Sequence, residues 1–252
     1  MPDVSALAHV AAAAAAVGAG GVNALAGGGT LISFPVLTAI GVPSVAANAT
    51  NTVALCPGYV GGTWALRREI VATGEALRTR LVTSGVGGLV GALLLLFTSN
   101  AVFRSIVPFL ILLSCLLLAV QDPLRRWVAG HRRGGDLKVA ELGGVFLAGV
   151  YGGYFGAGLG IMLIAVLGLF SNVPFTQVNA VKQPMAAAVN VSAAAFLVFS
   201  GKIEWSLAAV MAPAALVGGA VGGRLSTYLP AKKFRWGVVV LGIVISIIYL
   251  VR

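Results

Sequence analysis

Lys182 stands inside the apolar stretch VPFTQVNAVKQPMAAAVNVSAAAFLVF (173–199), which contains no carboxylate. A lysine near the centre of a bilayer costs about 2.5–3.5 kcal/mol, so its charge needs compensation. Residues three and four apart share a helix face, which puts Asn179, Lys182, Gln183, Ala186 and Asn190 on one polar stripe. An anion that binds and leaves would compensate Lys182. The structural alternative is a side chain that snorkels to an interface. Earlier in the chain Asn48, Asn51, Thr52, Leu55 and Tyr59 are spaced the same way, with Asn51 in the place of Lys182.

Two glycine clusters offer complementary chemistry. AGGGT (26–30) contains Gly28, Gly29 and Thr30, and FGAGLG (155–160) contains Gly158 and Gly160. A glycine bend that opens a helix exposes unpaired N–H groups, which attract anions. Such glycines also permit close helix packing, the expected role of VGGLVGA and LVGGAVGG. Prolines mark candidate hinges. Pro43 and Pro174 precede the two stripes, and Pro57 and Pro184 lie within them. Each internal proline removes one backbone hydrogen bond and crowds the carbonyl four residues back, at Val53 and Ala180.

Other chemistries find little support. No HExxH, GxSxG or paired Asp motif is present. Lys182 and Ser192 are ten residues apart and point away from a shared face. An enzyme is therefore not expected, nor a cofactor. Cys56 and Cys115 lie in apolar segments without CxxC spacing and read as small hydrophobes. His9 reads as a near-interface residue and His131 as solvated.

The elements that must position these groups follow from composition. The chain is 59% hydrophobic and 10% charged, with mean hydropathy +0.99. A soluble domain carries roughly a quarter charged residues. Several apolar runs approach the ~20 residues that span a bilayer. The expected class is an all-α polytopic membrane protein. The formal charge of +10 is concentrated in short connections such as RRWVAGHRRGGDLK (125–138). That is the positive-inside pattern, not a nucleic-acid surface. The segment MPDVSALAHVAAAAAAVGAG lacks a basic leader region and reads as a first membrane helix.

A shift of 131 residues brings the chain onto itself: Gly27 onto Gly158, Pro43 onto Pro174, Asn48-Ala49 onto Asn179-Ala180, VGGLVG onto VGGAVG, Phe103-Arg104 onto Phe234-Arg235. The expected organisation is a first repeat (1–121), a basic cytoplasmic linker (122–137) and a second repeat (138–252). Each repeat is expected to hold four full helices and one short, broken or re-entrant helix. Basic loops at 67–80, 122–138 and 224–235 all lie on one side if the repeats are inverted, an arrangement common in secondary transporters.

The motifs AGGGTLISFPVLTAIGVPSVAANATNT (26–52) and YFGAGLGIMLIAVLGLFSNVPFTQVNAVKQ (154–183) resemble the TauE/SafE-type sulfite exporter family over nearly the whole chain. The resemblance implies a multi-pass carrier in a bacterial plasma membrane for sulfite, thiosulfate, sulfonates or related small anions. It maps the motif onto Gly27–Thr30, Pro43, Asn48–Asn51 (with Thr50), Gly156, Gly158, Gly160, Pro174 and Asn179. This chain departs from it at NAVKQ, where members often repeat an Ala-Thr pair, and at VLG (166–168), where members often keep a proline. The candidate site is thus Lys182, Asn48, Thr50, Asn51, Asn179, Gln183 and the glycine bends, set between two broken Asn-bearing helices. Protons are a candidate coupling ion. An anion channel of the same fold and a non-transporting accessory protein are the competing expectations, and direction of transport and oligomeric state stay open.

Overall fold

The computed structural model describes residues 5–25, 28–65, 74–130, 137–171, 175–225 and 231–251. Gly27, Pro174 and His131 lie outside them, as does the side chain of Asn179. The described residues form helices and no strands: α1 Ala6–Leu25, α2 Thr30–Ala39, α3 Ser44–Ala65, α4 Gly74–Phe97, α5 Asn100–Ala119, α6 Gln121–Gly130, α7 Lys138–Tyr154, α8 Leu159–Phe170, α9 Phe175–Leu197, α10 Trp205–Leu225 and α11 Ala231–Val251. A short 3₁₀ turn, Val198–Ser200, extends α9.

Among the described residues, four apolar stretches are long enough to cross a membrane: Ala6–Asn23, Ala76–Phe97, Asn100–Ala119 and Val181–Ser200. Shorter apolar helices include Thr30–Ala39 and Leu159–Phe170. At 1.5 Å rise per residue, α2 and α8 reach only about 15–18 Å, half a hydrocarbon core. Each packs beside the helix that precedes it, α2 on α1 and α8 on α7. Apolar side chains face outward along one side of α5 (Val102, Phe109, Leu113, Leu116) and of α11 (Val240, Val244, Ile247, Val251). In water such stripes would be an aggregation hazard, whereas lipid tails accept them.

The packing is reciprocal. Helix α1 lies on α10, as α7 lies on α4; α3 lies on α10, as α9 lies on α4; α3 and α9 meet each other, and so do α5 and α11. The last pair runs antiparallel. Ser246 Oγ of α11 donates to Pro108 O of α5 at 2.9 Å, while Gly242 packs on Cys115. Helices α4 and α7 run parallel, with Arg80 beside Glu141, Gly87 beside Gly149 and Gly91 beside Tyr154.

Glycine explains how closely these pairs approach. A Cβ on Gly153 would stand 2.0 Å from Gly88 O, and one on Gly218 would stand 2.0 Å from Val17 O. Without a hydrophobic driving force between helices in lipid, backbone-to-backbone packing of this kind supplies the attraction. VGGLVGA and LVGGAVGG do the packing work expected of them, Gly87, Gly88 and Gly91 against α7 and α9, and Gly218 against α1.

One expectation is corrected. The Asn-bearing helices are not broken, since α3 runs continuously through Pro57 and α9 through Pro184. Each proline forfeits one hydrogen bond, and packing on α10, α4 and each other holds the rest of each helix. Within the 122–137 connection, α6 occupies Gln121–Gly130. Pro123 sits in its first turn, where a missing N–H costs nothing, and Val128 is fully buried as α6 packs on α8.

Candidate functional site

The two glycine bends are built differently. In the first, Asn23 near the end of α1 turns its Oδ1 onto the start of α2, accepting from Gly28 N at 3.1 Å and Gly29 N at 2.8 Å. The donors that an anion would use there are already taken. Asn51 closes the same turn from α3. Its Oδ1 accepts from Ser33 Oγ, and its Nδ2 donates to Thr30 Oγ1 at 3.4 Å. Thr30 and Asn51 are both buried. Asn23 was not singled out in the sequence, because an Asn inside a Gly/Ala run gives no sign of which turn it will cap.

The second bend, between α7 and α8, is held from outside. The carbonyl of Ala157 accepts from Tyr151 Oη at 2.7 Å and from Ser114 Oγ at 3.0 Å. Phe155 packs edge-on against Phe34 of α2, centroids 5.6 Å apart, and Phe34 packs on Phe103 of α5. Gly156 and Gly158 adopt φ of +85° and +81°, a left-handed conformation that a side chain would strain. Gly158 then caps α8 without a side-chain acceptor.

Residues from both polar stripes border this second bend. Asn48 of α3 donates from Nδ2 to Tyr154 O, at the entry to the bend, at 2.7 Å. Lys182 of α9 lies over the exit. A Cβ on Gly160 would stand 3.6 Å from Lys182 Cε and Nζ. The ammonium thus sits at the first turn of α8, beside the partial positive charge of that helix start. Lys182 is half-buried and has an interaction of its own within the fold.

The remaining candidates are placed as follows. Thr50 is buried, and its Oγ1 accepts from Glu204 N at 2.9 Å, at the start of α10. Gln183 is half-buried beside Lys182 in sequence. Asn190 spends its Nδ2 on Ala186 O within α9. Pro43 is exposed just before α3, following Gly41 at φ +96°. Among the described residues no group of three or more His, Cys, Asp or Glu could hold a metal ion.

A helical bundle with lipid-facing stripes, two half-length helices and a buried polar seam defines a multi-pass membrane protein of the transporter type. The sequence profile of the family described as "Sulfite exporter TauE/SafE" matches residues 12–249, and the chain belongs to that family. It is similar to "Probable membrane transporter protein YfcA" of Escherichia coli (strain K12), 27% identical over 229 residues, covering 90% of this chain and 84% of that one. It is also similar to "Probable membrane transporter protein ORF9" of Sinorhizobium sp, 28% identical over 230 residues, with 91% and 87% covered. A "Probable membrane transporter protein" of Haemophilus influenzae is 29% identical over 206 residues, with 81% and 79% covered. No solved structure matches the chain significantly. The family and these relatives are transporters by description and not enzymes, and the chain is a membrane protein.

Proposed function

We propose that the protein is a secondary transporter, acting as an exporter of small sulfur-containing or organic anions such as sulfite, thiosulfate or sulfonates, with its site at the second glycine bend. The observation that carries this reading is the bracketing of that bend by Asn48 from one stripe and Lys182 from the other. Lys182 and the first turn of α8 bring two sources of positive potential to one place. An anion that binds there neutralises both. Gln183 extends the donor set along α9, and Asn51, Thr50, Thr30, Gly28 and Gly29 frame the α3 side. Pro43, Pro57 and Pro184 supply points of bending.

The halves are read as inverted repeats joined by the 122–137 segment on the cytoplasmic side. Reciprocal packing supports this, as does the antiparallel contact of α5 with α11, the fifth helix of each half. A two-fold axis in the membrane plane reverses equivalent helices in this way.

Reconstituted vesicles test the reading. Uptake of radiolabelled sulfite, thiosulfate and methanesulfonate is compared for the wild type and Lys182→Ala. Transport by the wild type and its loss in a folded alanine variant is the expected result. Equal transport by both would take Lys182 out of the site and leave it to Asn48–Asn51 and the glycine bends, and no transport by the wild type would favour an accessory role.

A further inference from the structure

One polar atom beside the second bend finds no partner among the described residues. Asn48 is fully buried, and its Oδ1 accepts no hydrogen bond from them. The orientation of the amide is not arbitrary. Tyr154 O, an acceptor, holds Nδ2 at 2.7 Å, so turning the amide around would set two acceptor oxygens against each other. Oδ1 must therefore point away from that carbonyl.

None of the neighbouring polar groups donates to it. Asn51 uses both ends of its amide on Ser33 and Thr30. Thr52 Oγ1 donates to Asn48 O at 2.9 Å, and Thr50 Oγ1 receives Glu204 N. A buried acceptor left alone is costly, so Oδ1 calls for a donor that arrives from elsewhere.

Resting on the reading of this bend as the anion site, we infer that Asn48 Oδ1 accepts a hydrogen bond from the transported anion itself. The anion then carries its own hydrogen: a monoprotonated oxyanion such as hydrogen sulfite, or an anion with a hydroxyl or amine next to its charged group. The Lys182 ammonium and the positive start of α8 attract any oxyanion. Asn48 Oδ1 is the selective element, because a fully deprotonated oxyanion faces it with lone pairs only. A site built to pair a substrate hydrogen rejects the analogue that lacks it by large factors. The proton then crosses with the anion, and no carboxylate relay is needed. Glu141, the one buried carboxylate among the described residues, is paired with Arg80.

The test is competition against uptake of radiolabelled sulfite into wild-type proteoliposomes at fixed pH, with isethionate, ethanesulfonate and sulfate as unlabelled competitors, the first two differing by one hydroxyl. Isethionate should compete at a concentration at least about 100-fold lower than the other two. In Asn48→Leu the ratio should fall to within about threefold, because the discriminating acceptor is gone. If ethanesulfonate competes with the wild type as well as isethionate does, Oδ1 faces only a bound water and the inference is overturned, while the transporter reading stands. An Asn48→Leu variant that transports with wild-type discrimination overturns it equally. Should that variant not fold, the wild-type ratio decides. A wild type that moves no anion removes the transporter reading and the inference together.

Discussion

Arg80 and Glu141, 61 residues apart in sequence, meet in an ion pair that joins α4 to α7, Arg80 Nε donating to Glu141 Oε1 with each side chain 8% exposed. Breaking a buried pair by removing one partner typically costs roughly 3–5 kcal/mol, because the other charge is left uncompensated. Arg80→Ala and Glu141→Ala should each strongly lower the thermal midpoint in detergent. The reversed pair, Arg80→Glu with Glu141→Arg, should recover part of the loss. A reversed pair as unstable as either single variant would mean that the side chains matter by shape and not by charge.

The glycine crossings predict a sharp positional contrast. Gly153→Ala forces a methyl group against Gly88 O and should separate α4 from α7, with poor folding as the readout. Gly237→Ala meets nothing within 4 Å and should fold normally. Similar expression and melting of the two variants would contradict the close approach.

Asn23 caps α2. Replacing a helix-capping Asn by Ala costs about 1 kcal/mol, so Asn23→Ala should melt a few degrees lower. It also frees Gly28 N and Gly29 N. The variant should therefore gain a sulfate-dependent rise in melting temperature that the wild type lacks. An unchanged response to sulfate would show that those donors find another partner.

Ala157 O accepts from Tyr151 Oη, and Ser114 Oγ, whose one hydrogen also reaches Leu110 O, stands by as a second donor and is itself bonded to Tyr151 Oη. Tyr151→Phe and Ser114→Ala should each be mild, since one donor remains. The double variant orphans a buried carbonyl, at a cost of about 1–3 kcal/mol. A double-mutant cycle on melting temperature and sulfite uptake should come out more than additive. Simple additivity would mean the two donors hold the bend independently.

Much of the helix order was legible because lipid simplifies the rules. Apolar runs longer than a membrane's core become helices, and the two short pieces at 30–39 and 159–170 stood out by length. The boundaries were harder where helices leave the apolar region. Helix α4 begins at Gly74, well before its apolar run, because GEALRTR is helical without being hydrophobic. Helix α6 was missed for the same reason, as charge masked its periodicity. At the site, the stripe containing Asn48, Asn51 and Thr52 was readable from spacing, and all three are buried. What each side chain bonds to was not. Asn48 and Tyr154 are 106 residues apart, and Arg80 and Glu141 are 61, so only the folded packing brings them together.

The tightest helix contacts have a mechanical consequence. Each of the pairs α1–α10 and α4–α7 unites one helix from residues 1–121 with one from 138–252, backbone against backbone. Parting residues 1–121 from 138–252 would therefore tear open the closest backbone contacts in the fold. Disulfides engineered across α4 and α7 should leave transport intact, whereas one tying α3 to α9 should arrest it.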